Sequence, residues 1–443
     1  MSYAETLPIT NSKKAERFIN RVTAVTAGGM FIDGYVLGGT GIALPLMTDT
    51  LKLSAAESGL IGASVLIGIF IGAPLFGYLT DKFGRRLMFA IDMMIFLFAA
   101  VAQAFVETTV AVLLVRLLMG IAIGADYAIG SSLLAEFCHA KTRGRRMALL
   151  EVAWYLGYLA AFSIGYFLSS HWGIGWQWIL ASSAIPALVV VILRHNLPES
   201  PRWLVAQGRA DEAKADIVKY LGPDFVMPDL HDEKSAADVS TKSLFSSKYS
   251  KRTAFACIFW VCQVLPYFAI FTFAPKVLGA LGLTDTLSAA ISINGLAFVG
   301  SIVGMLVIDR IGRRKLLIVP FWITAACMLA IGLWPHAPAA YVVTIFLVFA
   351  FFNSASSVLQ GVYPMEIFPT KVRSTGVGIA AAASRIGAAA GTFLLPIALT
   401  DWGVGTCMLI AAAILALGAV ISQMWAPETN GLSLTDASDS SGK

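Results

Sequence analysis

The sequence predicts an all-α membrane protein with twelve transmembrane helices in two six-helix bundles, and three observations carry that expectation. Of 443 residues, 57% are hydrophobic and 13% charged, too little charge to cover the surface of a soluble chain of this length. Twelve apolar runs, each near the about 20 residues that a bilayer core requires, are separated by charged or Pro/Gly-rich breaks. One long polar insert, residues 195–252, divides six runs from six.

The runs fall at 21–47, 58–80, 87–106, 109–137, 146–169 and 175–194, then at 253–279, 287–308, 315–334, 339–363, 373–399 and 403–425. They define a tail (1–20), a first bundle (21–194), a central loop (195–252), a second bundle (253–425) and a closing tail (426–443). Twenty-eight of the 32 Lys and Arg residues fall in the N-terminal tail, near 82–86, 141–146, 194–252, 310–315 and 371–373, and at Lys443. The exceptions are Lys52, Arg116, Lys276 and Arg385. Basic loops stay in the cytoplasm, so both termini are expected there. The net charge of +5 is therefore loop charge, and no nucleic-acid partner is expected. The N-terminus is polar through Arg21, which argues against a removable signal peptide. Inside the central loop, Arg209-Ala-Asp-Glu-Ala-Lys214 has helix-forming residues and is expected to give short amphipathic helices bracing the cytoplasmic side.

Chemistry-bearing clusters are missing from the sequence pattern. Cys257, Cys262, Cys327 and Cys407 lie in apolar runs and Cys138 ends one, an odd count without paired spacing that reads as helix packing. The five histidines, at 139, 171, 195, 231 and 336, fall at helix ends or in loops. Neither an enzyme nor a metal site is expected, and no cofactor beyond a coupling proton. A small-molecule substrate and the lipid bilayer are the expected partners of a monomer.

The halves repeat. Asp81-Lys-Phe-Gly-Arg-Arg86 recurs as Asp309-Arg-Ile-Gly-Arg-Arg314, 228 residues on. Ala135-Glu136 with Arg143 recurs as Met365-Glu366 with Arg373, and Gly157 as Gly387, each 230 residues on. Parallel half-repeats of this kind are a transporter design.

These segments carry a family resemblance. Gly77-Tyr-Leu-Thr-Asp81-Lys-Phe-Gly84-Arg85-Arg86 resembles the loop 2–3 signature of the major facilitator superfamily, and Arg116-Leu-Leu-Met-Gly120-Ile-Ala-Ile-Gly124 its fourth-helix arginine motif. Pro198-Glu-Ser-Pro-Arg202-Trp-Leu, Glu366-Ile-Phe-Pro369 and Pro427-Glu-Thr-Asn-Gly431 are similar to sugar-porter signatures. The second loop copy departs, with Met305 where Gly77 stands in the first. The resemblance implies a bacterial inner-membrane metabolite:proton symporter working by alternating access. Physically, Gly77 and Gly84 permit close helix approach and a tight turn. Asp81, Arg85, Arg86, Glu136, Arg143 and Glu151, with Asp309, Arg313, Arg314, Glu366 and Arg373, are expected to form a cytoplasmic latch. Simple anchoring is the competing role for the arginines.

Ionisable residues inside spans are costly and usually face a cavity. Five stand out: Asp33, Asp92, Arg116, Asp126 and Arg385. Asp92 lies about 8 Å from its helix end, where a latch and a cavity role compete, whereas Asp33, Asp126 and Arg385 each lie ~18 Å in, near the midplane. A carboxylate in a semi-dry cavity gains proton affinity, which makes Asp33 the first candidate for the coupling proton and Asp126 the second. The resemblance implies that Asp33 pairs with Arg116. Arg385 cannot shed its proton and can hold a carboxylate or phosphate bidentately.

Most of the family's neutral-sugar clamp is missing. Gln263 is kept, but Cys262 and Phe268 stand where a Gln and an Asn are expected, Gly361 replaces the helix-ten tryptophan, and Tyr158 lies near the helix-five glutamine position. Asp33-Gly34-Tyr35-Val36 resembles the first-helix motif of aromatic-acid/proton symporters, with Val36 replacing its second Asp, and Gly124-Ala-Asp126-Tyr127 is similar to the fourth helix of phosphate porters. The expected cargo is a small organic anion such as a sugar acid or aromatic acid. A neutral sugar or polyol is the alternative, followed by inorganic phosphate and drug efflux. Tyr35, Trp154, Tyr155, Tyr158, Gln263, Tyr267, Asn294, Asn353 and Gln360 are further candidates to line the cavity, with helix packing as the competing role.

The expected orientation is testable by labelling in a background without the five native cysteines. A membrane-impermeant maleimide should reach Lys52→Cys in intact cells and Lys82→Cys only after permeabilisation; the reverse pattern overturns it.

Overall fold

A computed structural model describes residues 13–137, 140–194, 197–222, 244–246, 249–368 and 373–430. Among these residues no strand forms, and twelve helices are long and apolar enough to cross a membrane. The first six spans comprise α1 (Lys13–Leu51), α2 (Ala55–Phe83), α3 (Arg85–Ala102), α4 (Thr109–Phe137), α5 (Ala140–Trp172) and the pair α6 (Trp176–Ala181) and α7 (Ala184–Arg194). Two short helices follow, α8 (Pro201–Ala206) and α9 (Ala210–Tyr220). The last six spans are the pair α10 (Ser250–Thr272) and α11 (Ala274–Ala280), then α12 (Thr286–Ile311), α13 (Arg313–Leu333), the pair α14 (Ala339–Ser357) and α15 (Leu359–Ile367), α16 (Arg373–Asp401) and α17 (Gly403–Trp425).

The apolar runs locate all twelve spans but not their ends. Helix α1 starts eight residues before the expected run, because a chain of helix formers carries it on past the membrane edge. Helix α2 starts at Ala55, not 58: the Ser54 hydroxyl accepts from the Glu57 N–H while the Glu57 carboxylate accepts from the Ser54 N–H, a capping box. The expected loop helix over 209–214 is found as α9, where Glu212 is held below the ordinary carboxylate range by its hydrogen bond from Arg209. Tyr220 at the end of α9 packs its ring 5.0 Å from Phe18 of α1, so the loop braces the first span.

Three spans break midway for stated reasons. Pro275 opens α11 without an N–H to donate, and the chain turns at Phe273. Ser182 and Ser183 hydroxyls donate to the Ile179 and Leu180 carbonyls between α6 and α7. Ser354, Ser356 and Ser357 do the same three residues back at the end of α14, loosening the ladder before α15.

Bare backbone sets the packing. A methyl on Gly34 would sit 2.0 Å from the Trp154 carbonyl oxygen, and one on Gly157 would sit 2.0 Å from that of Phe31, so α1 and α5 touch backbone to backbone. Gly68 and Gly120 do the same for α2 and α4. The second half repeats both pairs: Gly387 and Gly391 bring α16 onto α10, and Gly300 brings α12 onto α14. First with fifth and second with fourth is thus the pairing in each half, which gives the sequence repeat a three-dimensional counterpart. The two halves meet where Gly59 of α2 lies against the Phe393 carbonyl of α16. Large apolar side chains such as Phe105 and Ile185 remain on the outside, as a lipid-facing surface requires.

Overpacking the α1–α5 seam should cost about 1–3 kcal/mol. Gly157→Val should lower the thermal unfolding temperature of the detergent-solubilised protein. Gly295→Ala, where an added Cβ meets nothing within 4 Å, should leave it unchanged or raise it.

Candidate functional site

The α1–α5 contact places Asp33 beside Trp154. Asp33 is buried, at 2% exposure, and its Oδ2 accepts from Trp154 Nε1 at 2.7 Å and from the Tyr127 hydroxyl of α4. Its Oδ1 has no hydrogen-bond partner. The Arg385 guanidinium, reaching across from α16, lies over the Tyr127 ring with its carbon 4.9 Å from the centroid. Its charge acts on Asp33 and on Glu151 of α5. Glu151, grouped with the latch on sequence, therefore stands at the centre, about 16 Å along α5 from its basic end.

Arg116 does not pair with Asp33. Its Nη2 donates to Thr40 and its Nε to the Ile61 carbonyl at 3.4 Å, while Nη1 has no partner. Thr40 lies seven residues beyond Asp33, about 10 Å further along α1, so the guanidinium is out of reach of that carboxylate. Val36 lies beside Arg116 instead, at the place where a second Asp would answer it.

Asp126 is likewise engaged elsewhere. Its Oδ1 accepts from Nη2 of Arg194, at the end of α7, and Arg194 Nη1 lies 3.9 Å from Oδ1 of Asp92 on α3. Asp92, about 10 Å into α3, is fully buried rather than at the surface. Sequence reading placed Arg194 among the loop cations; its position at a span end gave no sign that the side chain runs back into the bundle.

On the second half, amides line the opposing wall. Gln263 Nε2 donates to Ser356 Oγ at 2.7 Å, and Gln360 Nε2 donates to Gln263 Oε1 at 3.1 Å. The Asn353 carbonyl receives Ser356 Oγ at 3.0 Å. An aromatic group joins the halves: Trp154 and Tyr155 of α5 face Tyr267 and Phe268 of α10 at centroid distances of 5.8–6.1 Å. Tyr158 stacks on Phe162 at 5.4 Å, its hydroxyl buried without a partner. Two candidates sit outside this group. Tyr35 bonds Ser182 at 2.8 Å, and Asn294 donates to Ala290 of its own helix at 2.8 Å, both packing roles.

At the basic end of the bundle, carboxylates cap helices. Glu199 accepts from the backbone N–H groups of Arg85 and Arg86 at 2.9 and 3.1 Å, and Glu428 from those of Arg313 and Arg314 at 3.0 and 3.2 Å. Each acid seats itself on a helix start opened by a glycine of positive φ, Gly84 (92°) and Gly312 (87°). Arg313 also forks onto Glu366 at 3.0 and 3.1 Å and reaches Asp309 at 3.1 Å, while Thr429 donates to Glu366 at 2.6 Å. The side chains of Asp81, Glu136, Arg143 and Arg373 lie outside the described residues. Neither capping Glu was a candidate on sequence, although Pro-Glu-Ser and Pro-Glu-Thr recur 229 residues apart, in step with the repeat.

Twelve spans in paired half-repeats around buried charges and amides define a membrane transporter. The chain belongs to the family described as sugar (and other) transporter, whose profile matches residues 6–439. It is 39% identical over 426 residues to the inner membrane metabolite transport protein YgcS of Escherichia coli (strain K12), covering 96% of this chain and 95% of that one. It is 30% identical to the niacin transporter NiaP of Acinetobacter baylyi, covering 89% of this chain and 91% of the relative. The fold is similar to that of the xylose transporter XylE from E. coli in its partially occluded inward open conformation, with TM-score 0.81 and 22% identity over 94% of this chain and 100% of that one. The protein is thus a multi-pass integral protein of a bacterial inner membrane, a transporter and not an enzyme.

Removing either capping acid leaves two helix-end N–H groups without their charged acceptor. Glu199→Ala and Glu428→Ala should each cost about 1–2 kcal/mol, read as a lower unfolding temperature.

Proposed function

We propose that this protein is a proton-coupled symporter of a small organic anion, an aromatic acid or a sugar acid, working as a monomer by alternating access with both termini in the cytoplasm. One observation carries the reading: a single cation, Arg385, acts on two carboxylates of the opposite half, the buried Asp33 and the half-buried Glu151. With both acids ionised, the arginine is neutralised and an anion has nothing to bind. A proton on Asp33 weakens its hold on Arg385 and frees the guanidinium to take a substrate carboxylate in a two-pronged hydrogen bond. The substrate then replaces Asp33 as the charge that draws the halves together. Proton and anion are loaded as a set, which is symport, and no cofactor beyond the proton is needed. Trp154, Tyr155, Tyr158, Tyr267 and Phe268 supply flat apolar faces beside the arginine, suited to a ring. Niacin, carried by the relative NiaP, is a small aromatic acid of this kind. Asp33 is the coupling group. Gln263, Gln360 and Asn353 orient the cargo, and the Arg313–Glu366–Asp309 group serves the gate.

A second reading keeps a neutral sugar or polyol as cargo. The Gln263–Gln360–Ser356 chain favours it, since amides and hydroxyls match sugar hydroxyls and XylE is a xylose transporter.

Thermal-shift measurements with nicotinate, benzoate and glucuronate against xylose and glucose separate the two. A carboxylate at a hundredfold excess over its Kd should stabilise the protein by about 2.7 kcal/mol, an effect lost in Arg385→Ala. In proteoliposomes, Asp33→Asn should retain exchange of that carboxylate and lose uphill accumulation. Stabilisation by the sugars alone, or uphill uptake indifferent to an uncoupler, would overturn the anion symport reading.

A further inference from the structure

Asp92, Asp126 and Arg194 form a second buried charge group next to the one just described. Two carboxylates face one guanidinium. Asp126 is bound to Arg194, but both oxygens of Asp92 lack a hydrogen-bond partner although the residue is 0% exposed. Its near neighbours are Arg194 Nη1, at 3.9 Å, and the Met93 backbone N–H, which lies outside hydrogen-bond geometry. Arg194 in turn has Nε and Nη1 unused. An ionised carboxylate in this position would carry an uncompensated charge in an apolar core. Charge neutrality of the group requires one proton.

The group opens toward Asp33. A cavity of about 10 Å³, the space of roughly one water molecule, is lined by Asp33, Asp126, Tyr127, Gly29 and Met93. Gly29 and Asp33 are one turn apart on the same face of α1. A methyl at Gly29 would lie 1.8 Å from Asp126 Oδ2 and 2.8 Å from Arg194 Nη2, so the group is seated against bare α1 backbone. The charged groups facing it are Asp33 from α1, Asp126 from α4 and Arg194 from α7; the adjacent α6, Trp-Gln-Trp-Ile-Leu-Ala, has no charged side chain. By helix rise, Asp126 lies about 16 Å and Asp92 about 10 Å from the basic ends of their helices.

We infer that Asp92 and Asp126, bridged by Arg194, constitute a second proton site, which takes the proton leaving Asp33 and passes it toward the basic end of the bundle. The inference rests on the symport reading above. The proton leaves the Asp33 carboxyl, crosses the cavity on water and enters the Asp92–Asp126 pair, where a carboxylate becomes a carboxylic acid. Arg194 moves in the opposite sense. With the proton on Asp92 it pairs with Asp126, the arrangement described here; with the proton on Asp126 it swings the short distance to Asp92.

Infrared spectroscopy of the full chain in lipid vesicles tests this without a substrate, through the C=O stretch of buried protonated carboxyls at neutral pH. The wild type should show such a band that persists in Asp33→Asn and disappears in Asp92→Asn. Asp126→Asn should remove the same band, since the remaining acid then has Arg194 to itself, and it serves if Asp92→Asn does not fold. Arg194→Gln should add a second band, because two buried acids without a cation each keep a proton. A band unchanged in both Asn variants, or absent from the wild type, overturns the second site even where uptake remains proton-driven. Uptake indifferent to an uncoupler overturns the symport reading and leaves the infrared result standing.

Discussion

A charge inside a bilayer-spanning bundle survives only where another charge or dipole reaches it, and here two arginines serve four carboxylates. Arg385 faces Asp33 and Glu151; Arg194 faces Asp92 and Asp126. Both groups carry one acid more than their cation can answer, so each is incomplete without a proton. The rest of the architecture serves this shortage. Glycines let α1 and α5 meet closely enough for Trp154 to donate to Asp33, and Gly29 makes room for the Asp126–Arg194 pair. Tyr127 ties the first group together, donating to Asp33 while its ring carries Arg385.

Much of the fold is legible in the sequence because hydrophobicity over a span of about 20 residues is a strong, local signal. Repeated motifs at a constant offset add the two-half plan, and the paired glycines supply its packing. The depth of Asp33, Asp126 and Arg385 is legible for the same reason: it follows from counting along helices. Their partners are not, because pairing depends on which helix faces which. Arg194 belongs to a span end by sequence, yet its long side chain turns inward, onto Asp126 and over the Phe89 ring. Arg116 and Asp33 are at compatible depths only to within two helical turns, and that difference separates them. Glu151 follows a latch motif in sequence but lies about 16 Å along α5 from that end, a depth that only the length of α5 makes visible.

The basic end obeys a simpler rule. Helix starts expose N–H groups that favour an anion, and a Pro-Glu pair beyond the last span of each half supplies one. Glu199 and Glu428 thereby fasten the ends of the sixth and twelfth spans to the third and ninth, within each half and not between halves. Arg313, Glu366 and Thr429 extend the second of these fastenings to the end of α15. Each such contact lies within one half, so each corner is locked to its own bundle.

The broken spans have a different consequence. In the second half, backbone hydrogen bonding lapses at Phe273 and near Val358, beside the aromatic and amide walls of the cavity, while the corresponding first and fourth spans, α1 and α4, run on continuously. A helix bends cheaply where its ladder is already open. The four acids all ride on unbroken spans, α1, α3, α4 and α5, and the first half's own joint, between α6 and α7, carries none of them. The two halves, alike in sequence and pairing, therefore differ in where they can bend. The first holds its acids on continuous spans and is jointed between α6 and α7, whereas the second is jointed in two spans beside the cavity.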